Sequence, residues 1–362
     1  MISLKKKFSN YYKKIIQKFF KYLYGEINGK ISHNENKDII FLKVSIDKKD
    51  YEIYICKTSS LYTDTIHDTA IIKNKKIVDG PSFQLRNNID TSCLNNSVIS
   101  KGTPRFKKKI KGKVVSLLTG GGGNSNYWHW MFDVLPRLNI IKNKEFVFNY
   151  YLLPDLSQKF QNETLDLLQI SEKKRLSSRS FRHFDADEIV VTSHPYNILN
   201  DPTKDSLDIP SWIYDYLRIN FLEKGLKNTK LKSFPKKIYI NRRDATSLRY
   251  IINLKEVEDI LEKENFSSIT LSNYSFSDQI ALFNNADKII GLHGAGFANL
   301  IFCKPGTKVI ELKPNTAGDI IKNLAIKNNL IYDDISCETK TIKLNNQEGD
   351  VYIEPKILKN KI

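Results

Sequence analysis

From Lys237 to Ile335 short apolar runs alternate with amphipathic ones, and this alternation limits the fold more than any other feature of the chain. The runs KIYIN, SSITL, KIIGL, KVIEL and IYDDI read as strands, and NLKEVEDILEKEN, SFSDQIALFNNA, ANLIF and AGDIIKNLAIKNN between them read as helices. Strands separated by helices cannot pair as hairpins. They build a parallel, doubly wound sheet, and such a sheet takes its ligands beyond the carboxyl ends of its strands, near the point where strand order reverses. The loops that follow KIYIN, KIIGL and KVIEL are therefore the first places to look for chemistry.

With 362 residues the chain has room for a second domain. Between Ile39 and Leu85 the alternating runs FLKVSID, YEIYICK and AIIKNKKIV predict β-hairpins. Further strands are expected at VVSLL, FVFNYYLL and EIVVTS, and helices at NETLDLLQI and PSWIYDYLRINFLEKG. The polar stretch Lys224 to Lys236 reads as the linker. The expected organisation is a basic helix over residues 1–30, an α/β domain over 31–223 and a Rossmann-like, ligand-binding domain over 237–362.

The formal charge of +17 and the pI near 9.4 call for an anionic partner. Lysines and aromatics are not gathered into a nucleic-acid-binding module, so no nucleic-acid partner is expected. Cys56, Cys93, Cys303 and Cys337 are widely spaced with no CxxC pair, which argues against a zinc site or a disulfide framework and fits a cytoplasmic location. No run reaches the roughly 18 to 20 apolar residues of a spanning helix. From Leu4 to Tyr24, apolar residues recur at helical spacing among lysines. Two readings of that helix stand: a peripheral anchor on an anionic membrane surface, or an element docked on the protein's own core.

After KIIGL come His293, Gly294, Ala295 and Gly296, with a short helix expected from about Phe297. Small residues at a helix start let backbone amides approach an anion, so a diphosphate suits this corner. Arg242 follows KIYIN, and its guanidinium can hold phosphate oxygens in bidentate fashion. Arg249 is either a second phosphate contact or a surface charge. Asn299 either orients the phosphate loop or serves as a local cap in the first helical turn. Glu311 either accepts from ribose hydroxyls or points outward from its strand, and Asn253 with Glu256 reads as a helix capping box. Asp185 and Asp187 introduce a strand, and no metal is expected.

A second cluster lies in NSNYWHWMFDVLPRL, Asn124 to Leu138. On a helix, Asn126, His129, Asp133 and Arg137 share a polar stripe about 80° wide. Asp133 is the expected general base, with His129 orienting it or the acceptor; the reversed roles stay open. Asn126 and Arg137 are expected on the acceptor side, though Asp133 and Arg137 also have the spacing of an ordinary ion pair. Pro136 should kink the helix or begin a new one.

Three segments together, HGAGFANLIFCKPGTKVIEL, IYINRRDATSLRYIIN and NSNYWHWMFDVLPRL, resemble glycosyltransferase family 61, of the bacterial capsular-polysaccharide kind. The chain departs from that pattern at Leu254, where the family places an acidic residue. The resemblance implies a GT-B fold, with two Rossmann-like domains facing a cleft, and inverting, metal-independent transfer from a nucleotide sugar, with a UDP-sugar the expected donor. A glycan or lipid-linked glycan of surface polysaccharide synthesis would be the acceptor. The competing readings are a catalytically inactive relative that binds nucleotide or glycan and, further off, a basic nucleic-acid-binding protein.

Overall fold

The computed structural model describes residues 2–63, 69–82, 92–118, 125–142, 146–196, 208–245, 249–339 and 349–362, with backbone alone for residues 2–10. The glycines Gly120 to Gly123, Asn124 and residues 246–248 lie outside the described residues. The chain forms two compact units, Met1–Gln158 with Ile170–Asp205, and Lys159–Gln169 with Ser206–Ile362. No helix among the described residues is long and apolar enough to cross a membrane.

Unit 1 opens with a helix, Ile2–Tyr24, and is built on a mixed sheet. Its strands are β1 (Lys30–Ile31), β2 (Ile39–Ile46), β3 (Lys49–Thr63), β4 (Thr69–Lys73), β5 (Lys76–Val78), β6 (Lys108–Ser116), β7 (Tyr150–Leu153), β8 (Arg175–Ser177) and β9 (His183–Thr192). The spatial order is β1-β5-β4-β3-β9-β6-β7-β8, with β2 paired to β3. The hairpins expected from the alternating runs are present. Asp47 and Lys48 connect β2 to β3, and Asn74 and Lys75 connect β4 to β5, all four at positive φ, as two-residue turns between right-twisted strands require. The half of the sheet formed by β9, β6, β7 and β8 is parallel. Cys56, Leu61, Val114, Leu152, Phe184 and Ile189 form its core.

Unit 2 holds the parallel sheet predicted from the alternation, with strands β10 (Lys237–Ile240), β11 (Ser267–Ile269), β12 (Lys288–Leu292), β13 (Lys308–Pro314) and β14 (Ile331–Cys337) in the order β11-β10-β12-β13-β14. Every pairing is parallel. After β10 the chain moves to one side to form β11, then returns past β10 to form β12. The order thus reverses between β10 and β12, and the loops leaving these two strands flank the switch point. Ile290, Ile310, Ile335, Val257 and Leu261 pack in the core beside the sheet, each such side chain contributing about 1.5–3 kcal/mol by burial.

The boundary between the units differs from the expected one. The helix Ser211–Asn228 belongs to unit 2, so the linker shortens to the residues between it and β10. Its Phe221 meets Phe276 edge-on at 5.3 Å, and Gly225 lies so close to the helix Phe276–Asn285 that a Cβ there would sit 2.5 Å from Ile280 Cδ1. Arg218 donates to the carbonyls of Ile301 and Cys303. Asn253 stands at the N-cap position of the helix Leu254–Lys263, but its side chain does not cap it. The amide instead donates to the Ile353 carbonyl at 2.8 Å and accepts from the Ile353 N–H at 3.1 Å, tying the C-terminal segment to the sheet edge, while Glu256 accepts from the same amide rather than from a backbone N–H. Asp185 and Asp187 lie within β9: Asp185 accepts from Ser60 and pairs with Lys107, and Asp187 accepts from the Gly112 N–H.

Candidate active-site constellations

In unit 2 the candidate residues gather at the switch point. His293 follows β12 directly, and its carbonyl accepts from Arg242 Nη1 at 3.2 Å and from Arg249 Nη1 at 2.6 Å. Two guanidiniums thus converge on one backbone oxygen. Arg249, with 7% exposure, is not a surface charge, and burial lowers the pKa of Arg242. Like charges brought this close repel, and an anion placed between them relieves that repulsion. Gly294, Ala295 and Gly296 are half-buried between the buried His293 and Phe297, and a 3-10 helix runs over Ala295–Phe302. A Cβ on Gly294 would lie 2.0 Å from Arg242 Nη1, so the glycine leaves space for the guanidinium.

Glu311 takes neither of its expected roles. It is fully buried on β13, where it accepts from Tyr332 at 2.5 Å through Oε2 and engages His293 Nδ1 at 2.5 Å through Oε1. With both oxygens occupied inside the sheet, it fixes the His293 ring, and hence the carbonyl that collects the two arginines, rather than meeting a ribose. Asn299 is likewise fully buried. It donates to Gln279 Oε1 at 3.0 Å, and Gln279 in turn donates to the carbonyls of Leu271 and Tyr274. Through Gln279, Asn299 thus ties the 3-10 helix that follows His293 to the loop after β11.

In unit 1 the candidates come from the segments that follow the parallel neighbours β6 and β9. Asn126 caps the helix Tyr127–His129, its side-chain oxygen accepting from Trp128 N at 2.9 Å and His129 N at 3.4 Å; capping, not acceptor contact, is its visible role. The chain then widens into a π-helical turn, Trp130–Val134, and resumes as an α-helix at Arg137–Lys142. Pro136 accounts for the break, since it has no N–H and its ring would strike the carbonyl four residues earlier; Leu135 N reaches back five residues to Trp130 O.

The wide turn carries Asp133 inward. Asp133 is 4% exposed and fully engaged: Oδ2 meets His129 Nδ1 at 2.7 Å and Oδ1 accepts from Tyr196 Oη at 2.5 Å. His194 Nε2 lies 3.8 Å from Oδ2. Burial alone would raise the Asp133 pKa, but the charge and hydrogen bond of His129, aided by His194, hold it well below the usual carboxylate range. For His129 desolvation acts downward, and the Asp133 carboxylate overcomes it and raises the pKa. Burial lowers that of His194. Arg137 is also buried and does not stand on the acceptor side. Instead of pairing with the Asp133 carboxylate, it donates to the carbonyls of Asp133 and Thr192, each at 3.1 Å, and burial lowers its pKa to about 10. Of the polar stripe, Asp133 and Arg137 are buried, the capping Asn126 is exposed, and His129 is half-open, its side chain 38% exposed. Its Nδ1 faces the carboxylate, which assigns the proton to Nδ1 and leaves the Nε2 lone pair for chemistry.

Sequence reasoning missed Tyr196 and His194, although both follow the run EIVVTS at the carboxyl end of a central strand, where the same positional rule applies. It also missed Tyr332, which no local pattern marks.

The sequence profile of the family described as Glycosyltransferase 61 matches residues 127–310, just over half the chain. The protein belongs to glycosyltransferase family 61. The matched span takes in His129, Asp133, Arg137, Arg242, Arg249, His293 and Asn299, and stops one residue short of Asn126 and of Glu311. Among curated relatives, the EGF domain-specific O-linked N-acetylglucosamine transferases of Gallus gallus and Rattus norvegicus are 30% and 31% identical to this chain over 100 residues. That stretch is 26% of this chain and 18% of each relative, so the chain matches less than a fifth of the length of these animal proteins. As a family 61 member, the chain carries its two charged constellations at the carboxyl ends of parallel strands in two separate units.

Proposed function

We propose that the protein is a GT-B-type glycosyltransferase that moves a sugar from a UDP-sugar to a hydroxyl of a glycan or lipid-linked glycan, with inversion and without a metal. The observation that carries this reading is the convergence of Arg242 and Arg249 on the His293 carbonyl at the switch point. In the reaction, the bond from the anomeric carbon to the diphosphate breaks as the acceptor oxygen forms a bond to that carbon. The two guanidiniums and the amides from Gly294 onward offset the charge gathering on the departing diphosphate, a role that divalent cations fill elsewhere. His129 Nε2 takes the acceptor proton, and Asp133 keeps the imidazole in the required tautomer and stabilises the imidazolium that forms. This reverses the roles expected from sequence, because a buried carboxylate with both oxygens engaged is poorly disposed to receive an acceptor proton. The inactive-relative alternative predicts nucleotide binding with no release of UDP from any UDP-sugar, and the two readings part at that assay.

The likeness to the animal O-linked N-acetylglucosamine transferases makes UDP-N-acetylglucosamine the first donor to try, and it raises a protein hydroxyl as a second acceptor class beside a surface-polysaccharide glycan. UDP should raise the melting temperature progressively, with the logarithm of its concentration once that exceeds Kd, and Arg242→Ala should weaken its binding roughly 10- to 150-fold, the worth of a charge-assisted contact. Release of UDP from the matching UDP-sugar in the presence of EDTA tests the metal-free step. A thermal response to no nucleotide at all would overturn the donor-site reading.

A further inference from the structure

We propose that unit 1 carries a membrane-docking surface, in which the N-terminal helix and Phe106 enter the headgroup region of one leaflet while a basic groove beside them takes the phosphate of an anionic phospholipid. The helix Ile2–Tyr24 rests on the unit through its last turns: Phe20 is buried against Phe106, with ring centroids 5.1 Å apart, and Tyr24 stands edge-on to His183 at 5.0 Å and accepts from Lys107 N. Its apolar row is elsewhere. Tyr12, Ile15, Phe19 and Leu23, spaced three, four and four residues apart, are 66%, 49%, 50% and 47% exposed, with the exposed Lys14 and Lys18 alongside. The last turns are thus docked on the protein's own core, as one of the two sequence readings expects, while Tyr12, Ile15, Phe19 and Leu23 stay largely exposed.

Phe106 comes from a different part of the chain, is 70% exposed, and continues the row from Phe19, whose ring lies 6.3 Å away. It also lines a groove of about 400 Å³ together with Arg105, Lys108, Arg179, Arg182 and His183. Lys108 is held by the Ser180 carbonyl and by the face of Phe181, and Arg179 by Asp155, so these cations are positioned rather than loose. An apolar row sharing a residue with a basic groove matches the layering of a bilayer, acyl chains beneath and phosphates above. A second copy of a chain with charge +17 would set groove against groove with like charges facing. A nucleic acid would stack on aromatics but gains little from Ile15 and Leu23.

The test is flotation of the full chain with phosphatidylcholine vesicles and with vesicles containing phosphatidylglycerol. Binding is expected on the anionic vesicles alone and should fall with rising salt. Arg105→Glu with Arg179→Glu, both exposed, should lower it about tenfold or more, and so should Ile15→Ser with Phe19→Ser, with the melting temperature close to that of the parent. Phe106→Trp should show a blue-shifted emission on anionic vesicles that brominated acyl chains quench, which places the residue in lipid; millimolar inorganic phosphate should not release the protein. Equal binding to neutral vesicles, no effect of either double substitution, or an unquenched Trp would overturn the proposal. So would concentration-dependent dimerisation abolished by Ile15→Ser with Phe19→Ser, or oligonucleotide binding that competes with the vesicles. None of these readouts requires sugar transfer, so they stand or fall apart from the catalytic reading.

Discussion

Replacing Asp133 with Asn keeps the size of the side chain but removes the charge that raises the His129 pKa. In the wild type, turnover should climb with pH as His129 loses its proton, through a pKa above its ordinary 6.5. In Asp133→Asn that acid limb should move to lower pH while the plateau falls roughly 10²-fold or more; His129→Ala should abolish the limb and leave UDP affinity unchanged. A pH–rate profile of both variants separates a base from a residue that positions it. The same pair links stability to pH. The depressed Asp133 pKa contributes stability that is complete above the unfolded value of about 3.8 and is lost as pH falls through the folded one. The raised His129 pKa contributes stability that is complete below about 6.5 and is lost as pH rises through the folded value. Glu311 presents a different case. Glu311→Gln must leave one buried contact of His293 or Tyr332 reversed, costing about 1–3 kcal/mol, visible as a lower urea midpoint. Residue types at strand ends were legible in the sequence. Which of them face a ligand and which stand behind one was not: Glu311 and Asn299 have the spacing of ligand contacts, and only the packing of β13 and of the helix Phe276–Asn285 turns them inward.

The five strands of unit 2 are legible because each parallel strand needs an amphipathic crossover, and the two periods alternate without interruption. The π turn at Trp130–Val134 is not, since local apolar spacing continues through it and Pro136 announces a break without saying which kind. The order of the unit 1 sheet is also hidden, because β9 enters between β3 and β6 long after both have been made. The helix Ser211–Asn228 is legible as a helix but its partners are not, because what packs it within unit 2 is Phe221 against Phe276 and Gly225 against Ile280, which no local pattern marks. Gly225→Ala gains roughly 1 kcal/mol of helix propensity and, with Ile280 fully buried, loses about 1–3 to overpacking. The expected outcome is a lower melting temperature, the reverse of the usual Gly to Ala effect in a helix.

Across the whole molecule, composition gave the sign of the partners and the alternation gave one sheet, while the division of the chain came from packing. Unit 1 loses the chain after Gln158 and regains it at Ile170, and its central strand β9 is the last one synthesised. This has a temporal consequence. On a ribosome, β3 and β6 emerge with no partner between them, and their unpaired edges persist until His183–Thr192 follows. A fragment ending just before His183 should be digested at once by protease, and one ending at Asp205 should yield a resistant core; equal resistance would mean that the earlier strands fold without β9. The nascent chain should thus depend most on chaperones during the synthesis of the residues between β6 and β9, a stretch that includes Asp133 and His129.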